Sequence, residues 1–157
     1  MRLTAFSDVS LRIMMLLAGA SESKMSTQTI AQGVGTPYNH VAKSVAFLAH
    51  HGWVTASRGR SGGVMLSEAG CRVTVGQLLR ATEGETPIVE CESDEARCPL
   101  NSSCRLRSYL SRAREAFFAV LDPIVITDLP HEKQLGPVMV ELGLGPLATR
   151  STEQFVG

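Results

Sequence analysis

The sequence predicts a mainly α chain with a small β-hairpin wing: a winged helix-turn-helix followed by one long C-terminal helix. Three observations carry that expectation. Three short helical segments precede two β-rich runs that flank a glycine-rich turn. Residues 23–66 hold Lys24, Lys43, Arg58 and Arg60 and no acid. Later, from Cys104 onward, apolar residues recur at alternating steps of four and three.

The elements follow in order. Val9, Ile13, Leu16 and Leu17 set a first helix over residues 7–20, with Thr4 or Ser7 as its cap. Residues 21–25 form a polar turn, and Ser26 caps a short helix to Ala31 that Gly33 and Gly35 stop. Thr36-Pro37 opens the next helix, with Pro37 in its first position, running from Tyr38 to about His50. Val41, Val45 and Leu48 are its buried face. Trp53–Ser57 and Val64–Leu66 are strands joined by Arg58-Gly59-Arg60-Ser61-Gly62-Gly63. Val75–Thr82 is a further helix ended by Glu83-Gly84. The last apolar stripe comprises Leu106, Leu110, Ala113, Phe117 and Val120, about five helical turns stopped at Asp122-Pro123. Such a stripe on a small domain needs a covering surface, and in a DNA-binding chain the economical one is the same helix of a second copy. Part of it also packs within its own chain. The expected organisation is thus a winged helix over 1–84, a cysteine-bearing segment over 85–104, a dimerisation helix and its sequel over 105–129, and a loose tail over 130–157.

Composition bounds the function. A length of 157 residues, 44% of them hydrophobic, supports one domain with a core plus an appendage. The chain has no apolar run long enough to span a membrane and no secretory cleavage pattern, so the expectation is a cytoplasmic protein. Net charge is +0, yet it is unevenly spread. The acid-free basic stretch suits a polyanion such as double-stranded DNA, whereas residues 81–98 carry six acids against Arg97. A solvated basic face is the plainer alternative. Thr36, Tyr38, Asn39, His40, Lys43 and Ser44 are the candidates on the recognition helix. Asn39 suits a bidentate contact to adenine, and Lys43 a contact to guanine or phosphate. Arg58, Arg60 and Ser61 belong to the wing, where an arginine enters a narrow A·T-rich minor groove.

Cys91, Cys98 and Cys104 lie within fourteen residues in Cys-x6-Cys-x5-Cys spacing. In a cytosolic chain such thiols point to metal or redox chemistry before disulfides. Iron–sulfur clusters prefer thiolates, and three leave a four-iron cube one ligand short. There is no Cys-x-x-Cys pair and no Ser/His/Asp constellation, so an enzyme is not expected.

These residues together resemble the family of winged-helix, iron–sulfur-linked repressors, which includes cluster-biogenesis regulators and nitric-oxide sensors. The resemblance covers residues 1 to about 129. Met1-Arg2-Leu3-Thr4, Pro37-Tyr38 with Lys43, and Gly59-Arg60-Ser61-Gly62-Gly63 carry it in the first half. Ala81-Thr82-Glu83-Gly84, the cysteines with Cys98-Pro99-Leu100, and the run from Leu121-Asp122 to Thr127-Asp128-Leu129 carry it in the second. The biogenesis regulators place a histidine three residues after the last cysteine, where this chain has Arg107. The nitric-oxide sensors match better, although their first two cysteines are more often one residue closer. The resemblance implies a homodimer on a pseudo-palindromic A·T-rich operator, holding an iron–sulfur cluster (4Fe-4S, with 2Fe-2S as the alternative). Nitric oxide would be its signal, and nitrosylation or loss of the cluster would release DNA. It also implies Asp8, in some members a ligand to the cluster of the opposite subunit, as the fourth ligand. Arg12, one turn on, would hold that carboxylate. Asp8 read alone is an acid favoured by the helix dipole. Cys71, a distant histidine or a small exogenous thiol are the other candidates, with Cys71 read as an ordinary buried residue. Two rival readings keep the DNA-binding fold: a regulator of iron–sulfur status or redox state with a 2Fe-2S cluster, and a structural protein stapled by zinc.

Overall fold

The computed structural model describes residues 2–20, 23–59, 61–84, 87–89, 98–99 and 104–145. The first helix, α1 (Ala5–Gly19), starts two residues earlier than periodicity suggested, because the Thr4 hydroxyl accepts the Ser7 N–H at 3.2 Å. Ile13, Met14, Leu16 and Leu17 on α1 are almost wholly buried and form the centre of the core. Helix α2 (Thr27–Val34) is capped by Ser26, whose hydroxyl accepts the Thr29 N–H at 3.0 Å, and Gly35 closes it. Gly33 lies inside this helix, where any Cβ would press on the Leu16 side chain. Helix α3 (Tyr38–His50) follows with Pro37 as its N-cap and packs against both α1 and α2. Val41, Val45 and Leu48 are its core face, as their spacing required.

Strands β1 (Val54–Ser57) and β2 (Gly63–Leu66) form the antiparallel wing, with Val54 opposite Leu66 and Ser57 opposite Gly63. At the wing tip Gly59 sits at φ 104°, a conformation closed to most side chains. The connector before α2 joins the wing: Met25 and Val64 exchange backbone hydrogen bonds at 2.9 and 2.8 Å. Helix α4 (Val75–Glu83) opens on a capping box between Thr74 and Gln77.

Helix α5 (Arg105–Leu121) is the long one, followed by a 3-10 turn at Ile126–Asp128. Among the described residues, its C-terminal end is the part that reaches the core of its own chain: Phe118 is buried, and Phe117 and Leu121 pack against the core. Of the expected stripe, Leu106 and Val120 are 62% and 70% exposed, Ala113 is exposed, and Leu110 and Phe117 are half-buried. Backbone bonds from Val75 N–H to the Ile124 carbonyl, at 2.8 Å, and from Ile126 N–H to the Val73 carbonyl, at 3.0 Å, tie the segment after α5 to the start of α4.

The loose tail expected over 130–157 is corrected at its beginning. Helix α6 (Glu132–Glu141) forms there and buries Met139 completely, with Leu135, Val138 and Leu142 packed against the core. Gly136 and Pro137 lower helix propensity, but tertiary burial overrides them. Residues 146–157 lie outside the described part.

Candidate cluster site and nucleic-acid interface

Helix α3 presents a polar face built by its own periodicity. With Val41, Val45 and Leu48 inward, Tyr38 (50% exposed), Asn39, His40 and Lys43 point outward, and Thr36 is half-buried just before the helix. Ser44 is a correction: it is completely buried rather than exposed. Positions 41, 44, 45 and 48 share one helical face, so the pattern that buries the valines buries Ser44 too. Its hydroxyl finds no hydrogen-bond partner among the described residues. On the wing, Arg58 and Ser61 are exposed, and Arg60 lies outside the described residues.

An aromatic chain links this face to α1 and the wing. Phe6 of α1 meets Phe47 of α3 edge-on at 5.1 Å, and Phe47 lies 4.2 Å from the His51 ring. His51 lies 4.9 Å from Trp53 at the base of β1, and the Lys43 ammonium sits over Phe6 at 5.6 Å. The end of α1 that carries Asp8 is therefore fastened to the helix that carries Asn39 and Lys43. Asp8 is half-buried and engaged by Arg12 through two bonds, at 2.6 and 3.1 Å, the pairing expected from their spacing.

Of the three clustered cysteines, Cys98 and Cys104 are half-buried free thiols, and Cys91 lies outside the described residues. Cys104 is the N-cap residue of α5. It opens onto a groove of about 530 Å³ between the end of α4, at Gly84, and the Arg107, Ser108, Ser111 and Arg114 face of α5. Cys71, expected to be buried, is half-buried in the 3-10 turn Gly70–Arg72. Among the described residues no three His, Cys, Asp or Glu side chains gather as a metal site. The structure does not bring Asp8 to Cys98 or Cys104 as one group. The donor types nonetheless suit an iron–sulfur cluster: free thiols on one connecting segment, with a carboxylate as a hard ligand from elsewhere.

Glu83 was missed as a functional residue. Buried at the end of α4, its Oε1 accepts the Thr4 N–H and the Ser7 hydroxyl, each at 2.6 Å. The available signal was an acid in the last turn of a helix, where the dipole disfavours it and a specific partner must compensate. The residue that ends α4 before the cysteine segment thus holds the first turn of α1, one residue from Asp8.

A helix-turn-helix with a hairpin wing, a polar outward face on its second helix and a cysteine-bearing connector defines a winged-helix DNA-binding regulator rather than an enzyme. The chain belongs to the Rrf2 family: that family's model, described as iron-dependent transcriptional regulator, matches residues 3–132. It is 47% identical over 144 residues to the HTH-type transcriptional repressor NsrR of Streptomyces coelicolor, covering 90% of this chain and 96% of that protein. Among solved structures it resembles T. potens IscR with a TM-score of 0.64 at 22% identity, over 82% of this chain and 85% of that one. It also resembles CymR, the global cysteine regulator of B. subtilis, with a TM-score of 0.61 at 29% identity, over 82% and 95%. These likenesses establish a transcriptional repressor of the Rrf2 family. Among the described residues no helix is long and apolar enough to cross a membrane.

Proposed function

We propose that the chain is a homodimeric, cytoplasmic repressor that binds a pseudo-palindromic A·T-rich operator and senses nitric oxide through an iron–sulfur cluster, most simply 4Fe-4S. The observation that carries this reading is a three-cysteine segment joining α4 to α5 in a chain 47% identical to a repressor named NsrR. Cys91, Cys98 and Cys104 would hold the cluster, and Asp8 of the second subunit would complete the set. When bound, such a cluster supplies iron to which nitric oxide binds.

The chain's own residues then account for coupling to DNA. The cysteine segment starts just past Glu83, whose carboxylate holds Thr4 and Ser7 at the start of α1. Phe6 on that helix bears on Phe47 of the recognition helix. A rearrangement of the segment therefore reaches α1 through Glu83 and α3 through Phe6. Asn39 and Lys43 would read the major groove, and Arg58 with Arg60 the minor groove. The exposed Leu106 and Val120, with Leu110, Ala113 and Phe117, would meet their copies in the dimer.

Anaerobic purification followed by native mass spectrometry and duplex binding, with and without nitric oxide, tests the reading. A straw-brown dimer that releases operator DNA on adding nitric oxide is expected. A colourless protein carrying zinc, or DNA binding indifferent to nitric oxide, overturns it.

A further inference from the structure

Arg80 on α4 is held by three side chains. Its Nη1 and Nη2 donate to both oxygens of Glu115 at 2.9 and 2.6 Å, and its Nε and Nη2 donate to both oxygens of Asp122 at 3.2 and 2.9 Å. Its guanidinium also lies over the Phe118 ring at 4.9 Å. All three partners belong to the C-terminal half of α5 or its C-cap. Gly76, one turn before Arg80, lets α4 approach so closely that a Cβ there would collide with Asp122. The hydrogen bonds from Arg80 hold both carboxyls below their ordinary range. The two helices are thus pinned toward the C-terminal end of α5 by a planar fork that fixes orientation as well as distance.

We propose that Arg80 is a positioning residue that fixes the angle between the winged helix and α5, and so selects the separation of the two operator half-sites. This rests on the reading of α5 as the dimer helix. Isolated surface ion pairs contribute little to stability. Orientation is a different matter, because α5 is a lever. About 20 Å of α5 lies between the clamp and its far end, so a swing of about 10° at the clamp moves that end by about 3.5 Å. One base pair shifts a half-site by about 3.4 Å, so a swing of that size changes the preferred spacing. The large exposed apolar residues Leu106 and Tyr109 lie at the far end, where α5 has left its own core.

The test is selection from a random-sequence duplex library, carried out in parallel with wild type, Arg80→Met and the double variant Glu115→Gln/Asp122→Asn. Wild type is expected to enrich paired half-sites at one spacing, preferring it about tenfold over duplexes one base pair longer or shorter. Both variants should enrich the same half-site sequence at several spacings, with the preference reduced to about twofold. The unchanged half-site shows that the winged helix is intact, which a general loss of structure would not leave. If Arg80→Met fails to fold, the double variant, which alters only the clamp's surface carboxylates, decides alone. Retention of one spacing with wild-type discrimination overturns the proposal. A wild type that is monomeric, or that selects single half-sites, overturns the dimer reading instead and takes the proposal with it.

Discussion

At the scale of single residues, burial separates side chains that the sequence pattern had grouped. Ser44 was placed beside Asn39 and Lys43 by proximity in sequence, yet it shares the inward face of α3 with Val41 and Val45. A buried hydroxyl without a partner costs about 1–3 kcal/mol, and alanine removes it without opening a large cavity. Ser44→Ala is therefore expected to leave DNA affinity unchanged and to raise stability by about 1 kcal/mol, or about 2–4 °C in Tm. Loss of operator binding with the fold intact would return Ser44 to the interface. Asp8 presents the opposite case, a half-buried acid with a partner already in place. An i,i+4 surface pair contributes only about 0.3–0.5 kcal/mol, so Arg12 holds the carboxylate loosely enough for it to serve a metal. If the three cysteines hold a cluster as proposed, Asp8→Ala should fold and still bind it, because thiolates dominate the affinity. At matched cluster occupancy its operator binding should fall below that of wild type. Equal binding would leave Asp8 as a helix-start acid paired with Arg12.

At the scale of elements, two carboxylate links organise how helices meet. Glu83 joins α4 to α1 through one oxygen that serves two donors. Glutamine keeps an acceptor oxygen there and leucine does not. Glu83→Leu should cost about 2–3 kcal/mol by stranding the Thr4 N–H and weakening the hold on Ser7, whereas Glu83→Gln should cost much less. Urea unfolding of both variants checks this, and equal losses would mean that charge rather than the accepted bonds matters. The second link, through Arg80, is pH-dependent in a defined sense. The Arg80 hydrogen bonds lower Glu115 and Asp122 from ordinary values of 4.5 and 3.8. The folded state therefore binds fewer protons than the unfolded state near those values. The clamp contributes fully at pH above 4.5 and loses its contribution as pH falls through the lowered values. Wild type and Glu115→Gln should differ in stability at pH 7 and converge on acidification, and a difference constant with pH would show the clamp to be inert. The sequence announced α1 to α5 because cap residues, glycines and apolar steps agree there. It hid both links, since Glu83 lies 79 residues from Thr4 and Arg80 lies 42 from Asp122. No local pattern encodes such pairings.

For the whole molecule, what was legible depended on whether local signals and tertiary packing agree. The winged helix satisfied both, whereas the spacing of the three cysteines pointed by itself only to metal or redox chemistry. Helix α6 did not: Gly136 and Pro137 argue against a helix, and only the fit of Met139 into the core overrules them. The stripe on α5 is the converse, an apolar pattern that the single chain leaves largely uncovered. Its exposure yields a prediction that separates folding from assembly. Leu106 is 62% exposed, so Leu106→Glu should cost the single chain little. In the proposed dimer the same side chain lies between two helices, where an uncompensated charge costs several kcal/mol and two copies repel. Sedimentation should therefore find a folded monomer where wild type is a dimer. Operator affinity should fall steeply while each half-site is still recognised, because the second contact ceases to be intramolecular. A dimer of unaltered strength would place the contact between subunits elsewhere, and the half-site spacing would then no longer be set along α5.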